Sequence, residues 1–162
     1  MNTASPDLSL TIVRTLPAPP AIVFEAWTSA EHARRWWYPR VNGADFACVA
    51  FEMDFRVGGA YRYCIRSPQG QDSWAHGVFR AIEPERRLEM TFQWESGSGI
   101  PDATLITVSF EPEGRDATRL TFRQAPFESA DMRDGHAAGW GAVLDRLAED
   151  LARTLAQRGA GA

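Results

Sequence analysis

The sequence predicts an α+β fold in which a curved antiparallel sheet of about seven strands wraps around one long C-terminal helix. Three observations carry this. From residue 46 onward, short segments alternate apolar and polar residues and are separated by Gly-, Pro- and Asp-rich turns, the pattern of an antiparallel meander with one packed face. From residue 129 the period changes to helical and holds for more than twenty residues. Between the first strand and the meander lie two short helical stretches bounded by prolines. The only element long enough to cover the sheet's apolar face is the last helix, so the sheet must curl around it, with the short helices closing one end.

The first segment, "LSLTIVRTL" (8–16), alternates and is β-branched, hence a strand. "LPAPP" ends it, and Pro20 suits the first turn of a helix through "AIVFEAWT", with Ile22, Val23, Ala26 and Trp27 on one face. Ser29 is positioned to N-cap a second helix from Ala30 to about Trp37, which Pro39 stops. Here "WWY" raises a geometric problem. Neighbouring helical positions diverge by about 100°, so Trp36, Trp37 and Tyr38 cannot all enter one core. Both tryptophans can lean to the side of Ala33 while Tyr38 swings out. One anchors the helix to the sheet and the other closes a cavity, the second role being assigned to Trp37. Arg34 and Arg35 are either solvated or meet an anionic group at the cavity mouth.

The meander follows. "CVAFEMDF" and "AYRYCIR" flank the turn "RVGG", and "SPQGQD" leads into "SWAHGVFRAI". "EPER" leads into "RLEMTFQWE", with Leu88, Met90, Phe92 and Trp94 on one face. The loop "SGSGIPD" precedes "ATLITVSFE", and "PEGRD" precedes "ATRLTFRQA". The long helix begins at Ser129 or Asp131 and runs to about Ala156. His136, Trp140, Val143, Leu144, Leu147, Leu151 and Leu155 form its apolar stripe, and Glu149 and Arg153 are spaced to pair across one turn. Gly135, Gly139 and Gly141 each cost ~1 kcal/mol relative to alanine. They are read as positions where a missing side chain admits a neighbour or a ligand.

Composition bounds the function. The 162 residues are 44% hydrophobic and 23% charged, with a formal net charge of -4 and six tryptophans. The arginines are scattered among acids, which excludes the concentrated basic footprint of a nucleic-acid binder. No apolar run reaches the ~18 residues of a membrane span. The start lacks the features of a signal peptide, so a cytoplasmic location is expected. Cys64 is expected opposite about residue 51, too far from Cys48 for a disulfide, so both are read as reduced thiols. His32, His76 and His136 lack metal-ligand spacing, and neither a nucleophile elbow nor a phosphate loop is present, so no metal and no cofactor are expected. One domain spans 8–156, with 1–7 and 157–162 as flexible termini.

As a set, "PPAIVFEAWTSAEHARRWW", "FRVGGAYRY", "HGVFRAIEPERRLEMTF", "TRLTFRQAPF" and "GHAAGWGAVLDRLAEDL" resemble the START-like (SRPBCC, Bet v 1-like) superfamily. Within it they resemble bacterial proteins of the Hsp90 ATPase activator homologue type. The likeness is collinear over roughly residues 8 to 155. It implies the helix-grip fold and a cavity between sheet and long helix that serves lipids, sterols, polyketides or other apolar molecules. The eukaryotic namesake carries an additional N-terminal domain for the chaperone, whereas here the first strand begins within ten residues of Met1, which weakens the case for a chaperone partner. Where Gln124 stands, the family pattern often has histidine.

The inward positions of this fold carry many aromatic and polar tips. The candidate ligand-binding residues are Trp37, Phe51, Met53, Tyr61, Tyr63, Trp74, His76, Met90, Phe92, Trp94 and Gln124, with His136 and Trp140 facing them from the helix. A pocket of this composition suits a small apolar or aromatic molecule. Three readings stand: a binding protein, which is preferred; an enzyme of the polyketide cyclase or hydrolase kind using His76 or His136 with Tyr61 or Tyr63; and a chaperone-activator-like interaction module. No inward carboxylate is predicted to orient either histidine, which counts against the enzyme. A homodimer is compatible with the sequence on general frequency alone.

Overall fold

The computed structural model describes residues 8–41, 43–95 and 103–160. Strand β1 (Leu8–Leu16) leads to the short helices α1 (Pro20–Glu25) and α2 (Ala30–Ala33), then to a two-stranded hairpin, β2 (Arg40–Val41) and β3 (Ala44–Asp45). The meander is β4 (Ala47–Met53), β5 (Ala60–Arg66), β6 (Asp72–Glu83), β7 (Arg87–Trp94), β8 (Thr104–Pro112) and β9 (Thr118–Phe127), and helix α3 (Ala130–Ala160) closes the chain. Seven strands form one sheet in the order β1-β9-β8-β7-β6-β5-β4, every pair antiparallel. This is the helix-grip architecture expected from the sequence.

Local chemistry explains the boundaries. Pro20 opens α1, where a missing N–H costs nothing. The Ser29 hydroxyl accepts from the His32 amide at 3.2 Å and the Ser129 hydroxyl from the Met132 amide at 3.1 Å, so each serine caps its helix. In the turn after β4, Gly58 has φ +86°, a conformation open to glycine. The core lies between the concave sheet face and α3, whose Trp140, Val143, Leu144, Leu147 and Leu151 are all buried.

Several expectations are corrected. Helix α2 ends at Ala33 rather than near Trp37, and bonds from the Trp36 and Trp37 amides to the Ala33 carbonyl continue it as turns. The β2–β3 hairpin was not expected; two-residue strands carry no readable period. Helix α3 continues past Ala156 to Ala160. Cys64 pairs with Ala50, beside the expected residue 51, and both cysteines are free. Arg153 reaches Asp150 at 3.8 Å rather than Glu149, and Asp150 is only 8% exposed. The loop expected at 96–102 and the termini 1–7 and 161–162 lie outside the described residues.

The largest correction concerns β6. Trp74 and His76, expected to point inward, lie on the outer face, while Ala75, Gly77 and Phe79 form the buried one. The cause is on the next strand. Tyr61 and Tyr63 are paired with Gly77 and Ala75, and their rings cover these small residues. A Cβ at Gly77 would collide with the Thr91 carbonyl and lie 2.7 Å from Tyr61 Cε1. Replacing Gly77 by alanine is therefore expected to destabilise the protein by about 1–3 kcal/mol; a urea midpoint equal to that of the parent chain would contradict the packing described.

Candidate functional site

A cavity of about 430 Å³ lies between the β5–β7 part of the sheet and the first half of α3. Its wall comes from the segment after α2 and the small hairpin (Trp37, Pro39, Phe46), the sheet (Tyr63, Ile65, Ser73, Trp94) and α3 (Asp131, Met132, Gly135, His136, Gly139, Trp140, Val143). Alternation on β5 brings Tyr63 and Ile65 to one side. Helical spacing does the same for Met132, His136, Gly139, Trp140 and Val143. A Cβ at Gly135 would meet nothing within 4 Å and one at Gly139 only Pro39, so the glycines leave room beside the tryptophan.

Of the thirteen sequence-predicted site residues, the cavity gathers five: Trp37, Tyr63, Trp94, His136 and Trp140. Phe51, Tyr61, Met90, Phe92 and Gln124 are buried in the core behind it, and Met53 packs on that core at its edge. Trp74 and His76 stand outside. Trp36 and Trp37 are both buried and stacked at 5.2 Å, with Trp37 on the cavity side. Missed were Pro39, Phe46, Ile65, Ser73, Asp131, Met132 and Val143. Ile65 follows from the alternation that selected Tyr61 and Tyr63, and Met132 and Val143 from the helical spacing. Pro39 and Phe46 belong to the unread hairpin.

The polar tips of the aromatic wall are mostly paired with one another. Trp140 donates its indole N–H to Gln124 Oε1 at 2.8 Å. Gln124 Nε2 donates to the Thr104 hydroxyl at 2.8 Å, and that hydroxyl donates to the Phe92 carbonyl. Trp94 donates to His136 Nε2 at 3.0 Å. With Nε2 accepting, Nδ1 carries the ring proton and donates it to the Met132 carbonyl at 2.8 Å. Neither nitrogen of His136 can act on a ligand without losing one of these bonds. Tyr61 donates to the Thr91 carbonyl. Burial raises both Tyr61 and Tyr63 well above the usual phenol range, so both remain protonated.

Charge is concentrated outside the cavity. Asp45 bridges Arg40, at 2.7 Å, and Arg146 of α3, tying the β2–β3 hairpin to the helix. The Arg146 guanidinium lies 4.5 Å above the Tyr38 ring. On the outer sheet face, Arg62 holds Glu95 with two bonds of 2.8 and 3.0 Å and lies 3.9 Å over Trp74. Glu95 also bonds His76 Nδ1 at 3.1 Å, so the carboxylate that orients this histidine faces solvent rather than the cavity. Of the two histidines the enzyme reading offered, His76 is thus separated from Tyr61 and Tyr63. Arg34 and Arg35 are exposed and do not line the cavity.

The chain belongs to the family described as Activator of Hsp90 ATPase homolog 1-like protein, which matches residues 17–152. A solved Chromobacterium violaceum protein is similar at 27% identity, with 91% of this chain and 98% of that one covered and a TM-score of 0.79. A Rhizobium loti protein is similar at 33% identity, covering 87% and 94%, with a TM-score of 0.70. A Silicibacter pomeroyi protein named for the same family shares the fold at 22% identity and a TM-score of 0.77, covering 90% and 99%. No curated protein matches the sequence.

Two consequences can be measured. Gln124→Met keeps the volume but leaves Trp140 and Thr104 without their partner, and is expected to cost roughly 2–4 kcal/mol in urea unfolding; a change below about 0.5 kcal/mol would mean the network is not intact. The Arg40 hydrogen bond, helped by Arg146, holds the Asp45 carboxyl below its ordinary 3.8. A carboxyl lowered in the folded state contributes its stabilisation above that ordinary value and loses it as pH falls through and below it. The Phe46 amide, which bonds the Pro39 carbonyl across the hairpin, is therefore expected to lose exchange protection as pH falls below that ordinary carboxyl value, after correction for intrinsic rates. Asp45→Asn should lack that protection at neutral pH as well; protection unchanged by acid would contradict the clamp.

Proposed function

We propose that the protein binds a small apolar or aromatic molecule in the cavity between the sheet and α3, and that binding rather than turnover is its activity. The observation that carries this is the lining: five large aromatic side chains, Trp37, Phe46, Tyr63, Trp94 and Trp140, surround a space of ligand size. An apolar guest there replaces water against apolar wall, worth ~25 cal/mol per Å² of apolar surface covered. Family membership supports the reading through the fold and does not supply the ligand. A cytoplasmic location and action as a monomer or homodimer belong to the same proposal. Among the described residues no helix is long and apolar enough to cross a membrane.

Native mass spectrometry of the freshly purified protein, with denaturing extraction, is expected to show a co-purifying small molecule or an apo mass that takes up an apolar fluorescent probe saturably. Ser73→Phe, which fills the cavity floor, should abolish probe binding while the thermal midpoint is retained. Trp94→Ala, which removes one wall, should weaken it. Absence of saturable binding by the parent chain, with Trp94→Ala costing the ~3–5 kcal/mol of a plain core deletion, would overturn the reading.

A further inference from the structure

Resting on that reading, we infer that the cavity selects an uncharged aromatic molecule carrying one oxygen acceptor, and that the Tyr63 hydroxyl donates the hydrogen bond that holds it. Three polar side chains of the wall are already paired: Trp140 with Gln124, Trp94 with His136, and His136 with the Met132 carbonyl. Tyr63 differs. It is 2% exposed and lines the cavity, and its hydroxyl donates no hydrogen bond among the described residues. Trp37, whose buried indole N–H has no partner of ordinary geometry, stands 5.5 Å away ring to ring and on the same wall. The phenol ring is fixed by Phe51, stacked at 5.2 Å and 13°, so the hydroxyl cannot swing to another acceptor. A guest carbonyl or ether oxygen supplies the acceptor that this donor lacks within the protein.

Charge selection follows from the same wall. No lysine or arginine lines the cavity, and its one carboxylate is Asp131, at the exposed start of α3. A carboxylate guest would lose its hydration without gaining a counter-ion, and Asp131 would repel it. A carbonyl oxygen meets neither penalty.

The test uses three naphthalene probes of one size: 2-acetonaphthone, 2-isopropenylnaphthalene, which replaces C=O by C=CH2, and 2-naphthoate. Affinities are read by quenching of intrinsic tryptophan fluorescence. The ketone is expected to bind about 3–10-fold more tightly than the alkene, the range of one net hydrogen bond, and the naphthoate more weakly than both. Tyr63→Phe should abolish the difference between ketone and alkene. Independently of any variant, the infrared carbonyl band of the bound ketone should lie below its position in hydrocarbon solvent. Equal binding of ketone and alkene, a difference that survives Tyr63→Phe, an unshifted carbonyl band, or a preference for naphthoate would each overturn the selection while leaving a binding cavity in place. Binding of none of the probes would overturn the cavity reading and this inference with it.

Discussion

The fold depends on one joint, the indole of Trp37. Its ring lies 5.1–6.4 Å from those of Trp27, Trp36, Phe51, Tyr61, Tyr63 and Trp140, so it touches both short helical segments, the sheet and α3. The need for such a joint is geometric. A single helix covers only part of a seven-stranded concave face, and α3 contacts chiefly the β1 and β9 side. Over β4 to β7 the remaining apolar surface needs another cover. The aromatic run after α2 supplies it, and edge-to-face packing of the rings adds attraction beyond the area they bury. What that run leaves uncovered between itself and α3 is the cavity.

Hydrogen bonding decides how dry this space is. Aromatic side chains bring polar atoms into the interior, and each needs a partner. Gln124 and Thr104 supply one chain of partners and His136 another, which also fixes the orientation of Trp140 and Trp94 in the wall. Trp27, Trp36 and Trp37 are the exception: among the described residues their indole N–H groups have no partner. Close packing of the three rings, with Trp27 at 4.7 Å from Trp36 and 5.4 Å from Trp37, is retained at that cost.

Much of this was legible in the sequence, for identifiable reasons. The alternation of β7, the serine caps and the α3 stripe are local signals, each generated by a single burial pattern or a single hydrogen bond. The faces of β6 were not legible. "SWAHGVF" alternates large residues with small ones, and size alone places Trp74 and His76 inside. The inner layer there is filled by Tyr61 and Tyr63 from the next strand, which requires Ala75 and Gly77 beneath them. Such a non-local exchange of volume leaves no trace in one strand's own period. For the cavity, the sequence pointed to the correct elements, but it chose among their residues by chemical interest, favouring Met90 and Phe92 over Ile65 and Val143. Facing direction, not chemistry, determines which residues line the space.

The same distinction bears on activity. A histidine in an apolar wall invites a catalytic role, yet His136 has both nitrogens committed, one to Trp94 and one to the Met132 carbonyl. Met132 is one helical turn before it, so the backbone of α3 itself sets the tautomer and the indole fixes the ring. An acid–base group must exchange a proton with a guest, and a ring held at both ends is instead a fixed part of the wall. Gln124 is likewise engaged on both sides, by Trp140 and Thr104. His136 in the wall and Gln124 in the core behind it each hold a tryptophan in position.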